Sequence, residues 1–294
     1  MRNSMAFTGL RLDRADHVRA DPSRLADMRA RIDARVLVLD GLAPPITGDR
    51  LDWIEAASLP EDSELVFLGL DEGAPVFAQL GGEGDKRPAY RQRMDWTGLN
   101  RLSADELAIY GGARSLVDWH ARHRFCAQCG QPTAIAKGGW QRDCPSCEAE
   151  HFPRTDPVAI MLVEHDGELL LARGTRFPER YFSTLAGFIE PGETIEQAVA
   201  REVLEEVGVV VDDVNYVTNQ PWPFPSQLMI GCCARATGKD LELDPVEIAE
   251  ARWFTRDELT EAMDTTDDAR DYKVPPGTAI SHHLMRWWLE NGDI

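Results

Sequence analysis

The apolar residues of this chain change rhythm part-way along it, and the change divides it in two. Up to about residue 100, apolar runs such as "RVLVLD" and "ELVFLGL" are short and separated by turn chemistry. They predict the strands and hairpins of a small α+β unit, with "DEG" from Asp71 to Gly73 as the turn between two strands. Ser103 followed by Glu106 in "SADELAIY" is a capping-box pattern. A helix opening there can run on through "ARSLVDWHARH" in spite of Gly111 and Gly112. No catalytic constellation is visible in this first region.

A second pattern begins at "DPVAIMLVEHDGELLLAR". Two apolar runs, Val158 to Val163 and Leu169 to Ala172, flank Asp166-Gly167 and predict a hairpin. "YFSTLAGF" predicts a strand leading into a helix from about Glu193 to Val207, where Ile195, Ala198, Val199, Val203 and Val207 recur as a buried stripe. Strand-like "GVVVDDVNYV", "QLMIGCCARA" and "EARWF" follow, then a capping box at Thr255 and Glu258 and a last amphipathic helix, "AISHHLMRWWLE". Strands interleaved with helices predict an α/β or α+β sandwich.

Charge narrows the function. Against 31 Lys and Arg stand 50 Asp and Glu, a net charge of −19, which disfavours broad contact with nucleic-acid backbones or anionic membranes. At 294 residues there is room for about two domains. "MRNSMAFTGLRLDR" lacks the apolar core of a signal peptide, no apolar run is long enough to span a bilayer, and "NGDI" carries no targeting signal, so a cytoplasmic address with no membrane partner is expected.

Four of the six cysteines form two C-x-x-C pairs, Cys126 and Cys129 in "CAQCG", then Cys144 and Cys147 in "CPSC" after fourteen intervening residues. Two such knuckles offer four thiolates, which complete a tetrahedron around one structural Zn²⁺ with no open position. A redox dithiol would need one pair at a helix start, and neither pair has that setting. The segment has few basic residues, so its expected role is to staple two domains rather than to grip nucleic acid. Cys232 and Cys233 sit in an apolar strand and read as core thiols.

The predicted helix of "AREVLEEVG" carries Glu202, Glu205 and Glu206 at i, i+3 and i+4. Carboxylates at that spacing repel. Hard divalent cations require oxygen ligands and would turn the repulsion into attraction; the alternative is a solvated acidic face.

The longer stretch "GFIEPGETIEQAVAREVLEEVGV" resembles the Nudix hydrolase signature at every fixed position: Gly187, Glu193, Arg201, Glu202, Val203, Glu205, Glu206, Gly208 and Val209. The resemblance implies a Nudix α/β/α sandwich that hydrolyses a nucleoside diphosphate linked to another moiety. It implies Glu202 and Glu206 as ligands of Mg²⁺ or Mn²⁺, more than one ion, with Glu205 as a ligand or supporting acid. It further implies a metal contact from the backbone carbonyl of Ala186 and an ion pair between Glu193 and Arg201. A further acid outside the signature is expected, and Glu247 in "DPVEIAEARWF" is favoured over Glu250.

In "NQPWPFPSQLM" three prolines at alternate positions fix an extended backbone that displays Trp222 and Phe224, or else a rigid connector whose aromatics fill a core. The stretch resembles the Ser-Gln-Pro-Trp-Pro-Phe-Pro-x-Ser segment of the NADH and NAD⁺ diphosphatase subfamily. Gln220, Pro221, Trp222, Pro223, Phe224 and Pro225 agree; Asn219 replaces the first Ser, and Ser226-Gln227 replace the last two positions. The four-Cys ribbon, "HFPRTDP" and "PPGTAISHHL" are also similar to that subfamily.

That likeness implies stacking of nicotinamide on Phe152, Phe188 and Trp222, the last reaching from the partner subunit of a homodimer, and substrate contacts near Ile280 and Ser281. The implied reaction is cleavage of NADH or NAD⁺ at the pyrophosphate to nicotinamide mononucleotide and AMP, with removal of NAD caps from RNA 5′ ends as a second activity. Two rivals are hydrolysis of ADP-ribose or another nucleoside diphosphate derivative, and a zinc-ribbon regulator that senses a nucleotide without turnover. The expected domains are an N-terminal α+β domain ending in a helix (1–122), a zinc ribbon (123–152) and a Nudix catalytic domain (153–294).

Overall fold

The computed structural model describes residues 5–81, 96–264 and 272–292. The first four and last two residues, read above for targeting signals, lie outside that range. The chain divides into two compact units. One comprises Ala6–Thr155 and Pro221–Gln227, the other Met1–Met5, Asp156–Gln220 and Leu228–Ile294.

The first unit opens with β1 (Leu12–Asp13), the short helix α1 (Asp16–Arg19) and α2 (Pro22–Ala30), whose Asp21 caps the backbone N–H groups of Ser23 and Arg24. Strands β2 (Arg35–Leu37), β3 (Ile46–Thr47), β4 (Arg50–Leu51), β5 (Ile54–Glu55), β6 (Leu65–Asp71) and β7 (Ala74–Gln79) follow. Five of them form a sheet in the order β1-β6-β7-β2-β5, and β3 pairs with β4. The "DEG" turn joins β6 to β7, with Glu72 and Gly73 at φ 54° and 85°, the two left-handed residues that a tight hairpin requires.

Two helices follow, α3 (Trp96–Leu99) and α4 (Ala104–Arg122). Side chains alternate across β6, so Val66 and Leu68 join Leu107, Tyr110, Ala113 and Leu116 of α4 in one cluster, while Phe67 packs with Leu25 and Met28 of α2 in another. Ser103 caps α4 through the Glu106 N–H. Glu106 does not close the capping box. Its carboxylate accepts instead from the Leu51 N–H at 2.8 Å and from Arg11 at 3.0 Å, because it is buried in a site where those donors need a partner.

The ribbon adds β8 (Ala134–Ala136), β9 (Gln141–Asp143) and β10 (Glu150–His151) in an antiparallel sheet. It is built into this unit: Trp140 Nε1 donates to the Phe67 carbonyl at 2.7 Å, and a Cβ on Gly139 would meet Val66 at 2.6 Å.

In the second unit, β11 (Asp156–His165), β12 (Glu168–Gly174) and β13 (Leu185–Phe188) precede α5 (Ile195–Val207). After it come β14 (Val211–Trp222), β15 (Gln227–Ala236), β16 (Ile248–Phe254), α6 (Arg256–Met263) and α7 (Ile280–Asn291). The sheet order is β14-β15-β11-β12-β16, with β13 paired to β11. Strand β11 is apolar without alternation because helices cover both faces. Ala159, Met161 and Val163 pack with Ala198, Val199, Val203 and Val207 of α5, whereas Ile160 and Leu162 pack with Leu259 of α6 and Leu284, Met285 and Trp288 of α7. The result is an α/β/α sandwich. The hairpin at Asp166-Gly167 again places both residues at positive φ, 48° and 75°.

Candidate active site and zinc centre

Helix α5 begins two residues later than the expected Glu193. Thr194 is its N-cap and forms a reciprocal capping box with Gln197. Glu190-Pro191-Gly192-Glu193 is a turn in which Gly192 sits at φ 97°, so the Glu193 side chain is left outside the helix. Arg201 reaches it, donating from Nε and Nη2 at 2.6 and 2.9 Å. The same guanidinium donates to Glu202 at 2.8 Å, to Glu205 at 3.0 Å and to the Phe188 carbonyl at 2.9 Å. The hydrogen bonds from Arg201 hold Glu193 down at about 2, and they anchor the loop to the acidic face.

The three helix glutamates are not equivalent. Glu205 keeps 61 % of its side chain exposed and Glu202 only 12 %. Glu206 is buried at 7 %. At 100° per residue, Glu206 lies ~20° from Val199 around the helix, on the edge of the apolar stripe. Among the described residues its Oε2 is buried with no hydrogen-bond partner. Burial, then the charges of Glu202, Glu247, Asp244 and Glu205, push the Glu206 carboxyl up to about 8. Burial raises Glu202 as well, against the pull of Arg201 and with Glu205 and Glu247 adding to it.

Glu247 is brought to this cluster by the chain that leaves β15. The Glu242 N–H bonds the Val207 carbonyl at 2.9 Å and the Asp244 N–H bonds the Glu206 carbonyl at 3.0 Å, so residues 242–247 run along the C-terminal end of α5. Asp244, which the sequence reading passed over, arrives with it. No spacing signal marks it, since the proximity is created by that loop. Glu250, the alternative acid, stands 3.5 Å from Arg173 Nε and is occupied there.

Ala186 and Gly187 lie on β13, paired with Ile160 and Ala159 of β11. A Cβ on Gly187 would lie 1.8 Å from Glu202 Cδ, so the strand passes the carboxylate with no room for a side chain. An orphaned buried carboxylate oxygen, surrounded by further carboxylates and a bare strand, is an oxygen-rich donor set that fits a hard divalent cation.

The residues expected to bind substrate differ in their local surroundings. Phe152 and Phe188 are exposed, at 57 % and 54 %. Trp222 and Phe224 are turned inward rather than displayed. Trp222 stacks on Trp96 with ring centroids 5.5 Å apart, and Trp222 and Phe224 each make an edge contact with Phe7. The reason is the apolar cluster of the first unit, which half-buries both rings. Gln220 is fully buried, its amide donating to the Thr278 carbonyl at 2.8 Å and accepting from the Ile280 N–H at 2.9 Å. Ser281 is likewise interior: its Oγ accepts from the Thr184 N–H and meets the hydroxyls of Thr184 and Ser183. Gln220, the Ile280 amide and Ser281 Oγ thus serve internal hydrogen bonds. Pro221 is exposed, Pro223 buried, and Pro225, Ser226 and Gln227 half-buried.

The four cysteines converge. All four Sγ atoms lie within 4.8 Å of one another, with Cys126 to Cys147 at 3.6 Å and Cys129 to Cys144 at 3.5 Å. Thiolates at ~2.3 Å from a tetrahedral zinc stand ~3.8 Å apart, so the cage fits that ion. The two knuckles repeat one hydrogen-bond pattern. Cys126 and Cys144 each accept at their carbonyl from the residue four positions on, Gly130 and Glu148, and these take φ 76° and 59°. His151, another residue missed in the sequence, places Nε2 3.3 Å from Cys126 Sγ, the geometry of an N–H donor to a thiolate.

Comparison with known proteins finds matches to three family models along the chain. The NUDIX domain family matches residues 153–276, the NADH pyrophosphatase zinc ribbon domain 121–152, and the NADH pyrophosphatase-like rudimentary NUDIX domain 24–119. The chain is 42% identical over 243 residues to the NAD-capped RNA hydrolase NudC of Stutzerimonas stutzeri (strain A1501), covering 81% of this chain and 82% of that one. It is 40% identical over 294 residues to NudC of Mycobacterium bovis (strain BCG / Pasteur 1173P2), covering 94% and 92%. With the NAD-capped RNA hydrolase NUDT12 of Homo sapiens it shares 48% identity over 267 residues, 78% of this chain, and spans only 58% of that relative's length.

Proposed function

The chain belongs to the Nudix hydrolases, in the branch that carries the NADH pyrophosphatase zinc ribbon, and on that premise we propose that it cleaves the pyrophosphate of NADH or NAD⁺ to nicotinamide mononucleotide and AMP. The observation that carries the proposal is the buried, unpartnered Oε2 of Glu206 amid like charges. A carboxyl in such a place either takes up a proton or is compensated by a cation, and the acids gathered around Glu206 supply the further oxygens that a cation needs. Glu202, Glu206 and Glu247, with the Ala186 carbonyl, would hold more than one Mg²⁺ or Mn²⁺. When bound, such ions lower the pKa of a water and neutralise pyrophosphate oxygens.

The protein's own groups do the rest. Arg201, clamped by Glu193, holds Glu202 and the Phe188 carbonyl in register. Glu205, the most exposed of the three helix acids, stands ready as a further ligand or as the acceptor of the proton that the attacking water releases. The exposed rings of Phe152 and Phe188 offer faces for nicotinamide. The segment from Gln220 to Gln227 shapes recognition through its backbone course.

The names of the relatives support a second activity on NAD-capped RNA 5′ ends. We also read the protein as a homodimer, as its likeness to the NADH pyrophosphatase branch implies. No described helix is long and apolar enough to cross a membrane, and the unbridged thiols support a cytoplasmic address.

The deciding experiment incubates the zinc-loaded protein with NADH and Mn²⁺ and identifies products, beside Glu206→Gln. Release of AMP by wild type and none by the variant is expected. Turnover of ADP-ribose but not NADH would overturn the substrate assignment. Equal rates on free NAD and NAD-capped RNA would support decapping, and no cleavage of the capped RNA would end that reading.

A further inference from the structure

The proline-rich segment joins β14 to β15 of the catalytic unit, yet Pro221–Gln227 packs as part of the N-terminal unit. Pro223 and Pro225, in the turn between the two strands, have no N–H to offer a ladder. Their carbonyls are held by a helix instead. Arg114 of α4 is 2 % exposed, and its Nη1 donates to the Pro223 carbonyl. Ser115 Oγ donates to the Pro225 carbonyl at 3.0 Å. The guanidinium also lies over Phe224, 4.6 Å from the ring centroid.

Gly111 completes the seat. It is one helical turn before Arg114 and Ser115, at i−3 and i−4, so all three share a face. A Cβ there would meet Pro223 Cγ at 3.3 Å and Phe7 Cδ1 at 3.1 Å. At its upstream end the strap continues into Gln220, whose amide is bonded at both atoms to the Thr278–Ile280 backbone.

We propose that Arg114, assisted by Ser115, is a positioning residue for substrate selection: it holds the Pro221–Gln227 strap in the course that recognises the nicotinamide half of the substrate. The N-terminal unit thereby acts as the clamp of the recognition strap, a role for a domain that carries no catalytic constellation of its own. This rests on the reading above that NADH is the substrate and that the strap takes part in its recognition. Neither Arg114 nor Ser115 is among the acids read above as metal ligands, so the clamp bears on KM for substrates with a nicotinamide ring and not on the chemical step.

The test uses the full-length, zinc-loaded protein as wild type, Arg114→Met, Arg114→Lys and Ser115→Ala. Steady-state constants with Mn²⁺ are measured for NADH and for ADP-ribose, which lacks the ring, and hydrogen exchange is followed in peptides covering the strap and α5. Arg114→Met is expected to raise KM for NADH about ten-fold with kcat within about two-fold, to leave ADP-ribose nearly unchanged, and to lose exchange protection in the strap alone. Lys should restore most of the loss, because it keeps a charged donor. Ser115→Ala, a mild change that keeps the fold, should raise KM for NADH about three-fold and decides the matter if the Met variant does not fold. Parallel losses on both substrates, or a strap equally protected in every folded variant, would overturn the clamp. If wild type does not turn over NADH, the substrate reading has failed, and the exchange comparison still decides whether Arg114 holds the strap.

Discussion

Gly187 and Glu202 are in steric contact across the strand and helix that carry them: a Cβ on Gly187 would sit 1.8 Å from the Glu202 carboxyl carbon. The glycine of the signature is therefore required by the space its glutamate occupies. Gly187→Ala is expected to push Glu202 aside and lower kcat at least about a hundred-fold, since a misplacement of ~1 Å costs that much. Circular dichroism should stay native. Retained activity in the alanine variant would refute the geometry.

Glu206→Gln separates stability from function. The carboxylate is buried, one oxygen is unpartnered, and four other acids act on it. A neutral isostere removes that penalty, so metal-free Glu206→Gln should be more stable than metal-free wild type by roughly 1–3 kcal/mol. It should also lose the rise in melting temperature that Mn²⁺ gives wild type. Denaturant titration with and without Mn²⁺ checks both.

His120 reports on the N-terminal unit. Its Nε2–H donates to the Gly139 carbonyl at 2.7 Å, and its Nδ1 accepts from Arg142 Nη1 at 2.9 Å, a neutral tautomer wedged against a cation. Burial first, then the charges of Arg142 and His123, lower it to about 4, though the Gly139 bond opposes this. The folded value lies below the unfolded 6.5, so the unfolded chain binds more protons as pH falls. The contribution is full above pH 6.5 and is lost as pH drops through about 4, reaching ~3 kcal/mol at most. NMR titration should show His120 neutral down to about pH 4, and the acid loss of stability should be smaller in His120→Gln.

The two knuckles of the ribbon differ at one backbone position. Gly130 takes φ 76° without strain, whereas Glu148 takes φ 59° with a side chain. Glu148→Gly should stabilise the zinc-loaded protein by about 0.5–1 kcal/mol, read as a higher denaturant midpoint. An unchanged or lower midpoint would count against strain at that site.

Alternation, capping residues and turn glycines were enough to mark α4, the hairpins at Glu72-Gly73 and Asp166-Gly167, and the capping box at Thr255, because each depends on neighbours within a few residues. The cysteine cage was legible for the same reason, as two local knuckles. The sequence by itself thus determined the local elements, the donor chemistry of the cysteine cage and of the acidic helix face, and the family signature.

Tertiary structure decided which acids meet and where rings point. Glu206 is buried because α5 seats its apolar stripe on β11, and Asp244 and Glu247 join it only through the loop bonded to the end of that helix. Trp222 and Phe224 face inward because Phe7 and Trp96, distant in the chain, offer an apolar seat, and Arg114 and Ser115 donate to the carbonyls of Pro223 and Pro225. Periodicity reports which side of an element is apolar, but not which distant surface will cover it. That choice belongs to the packing of the whole chain.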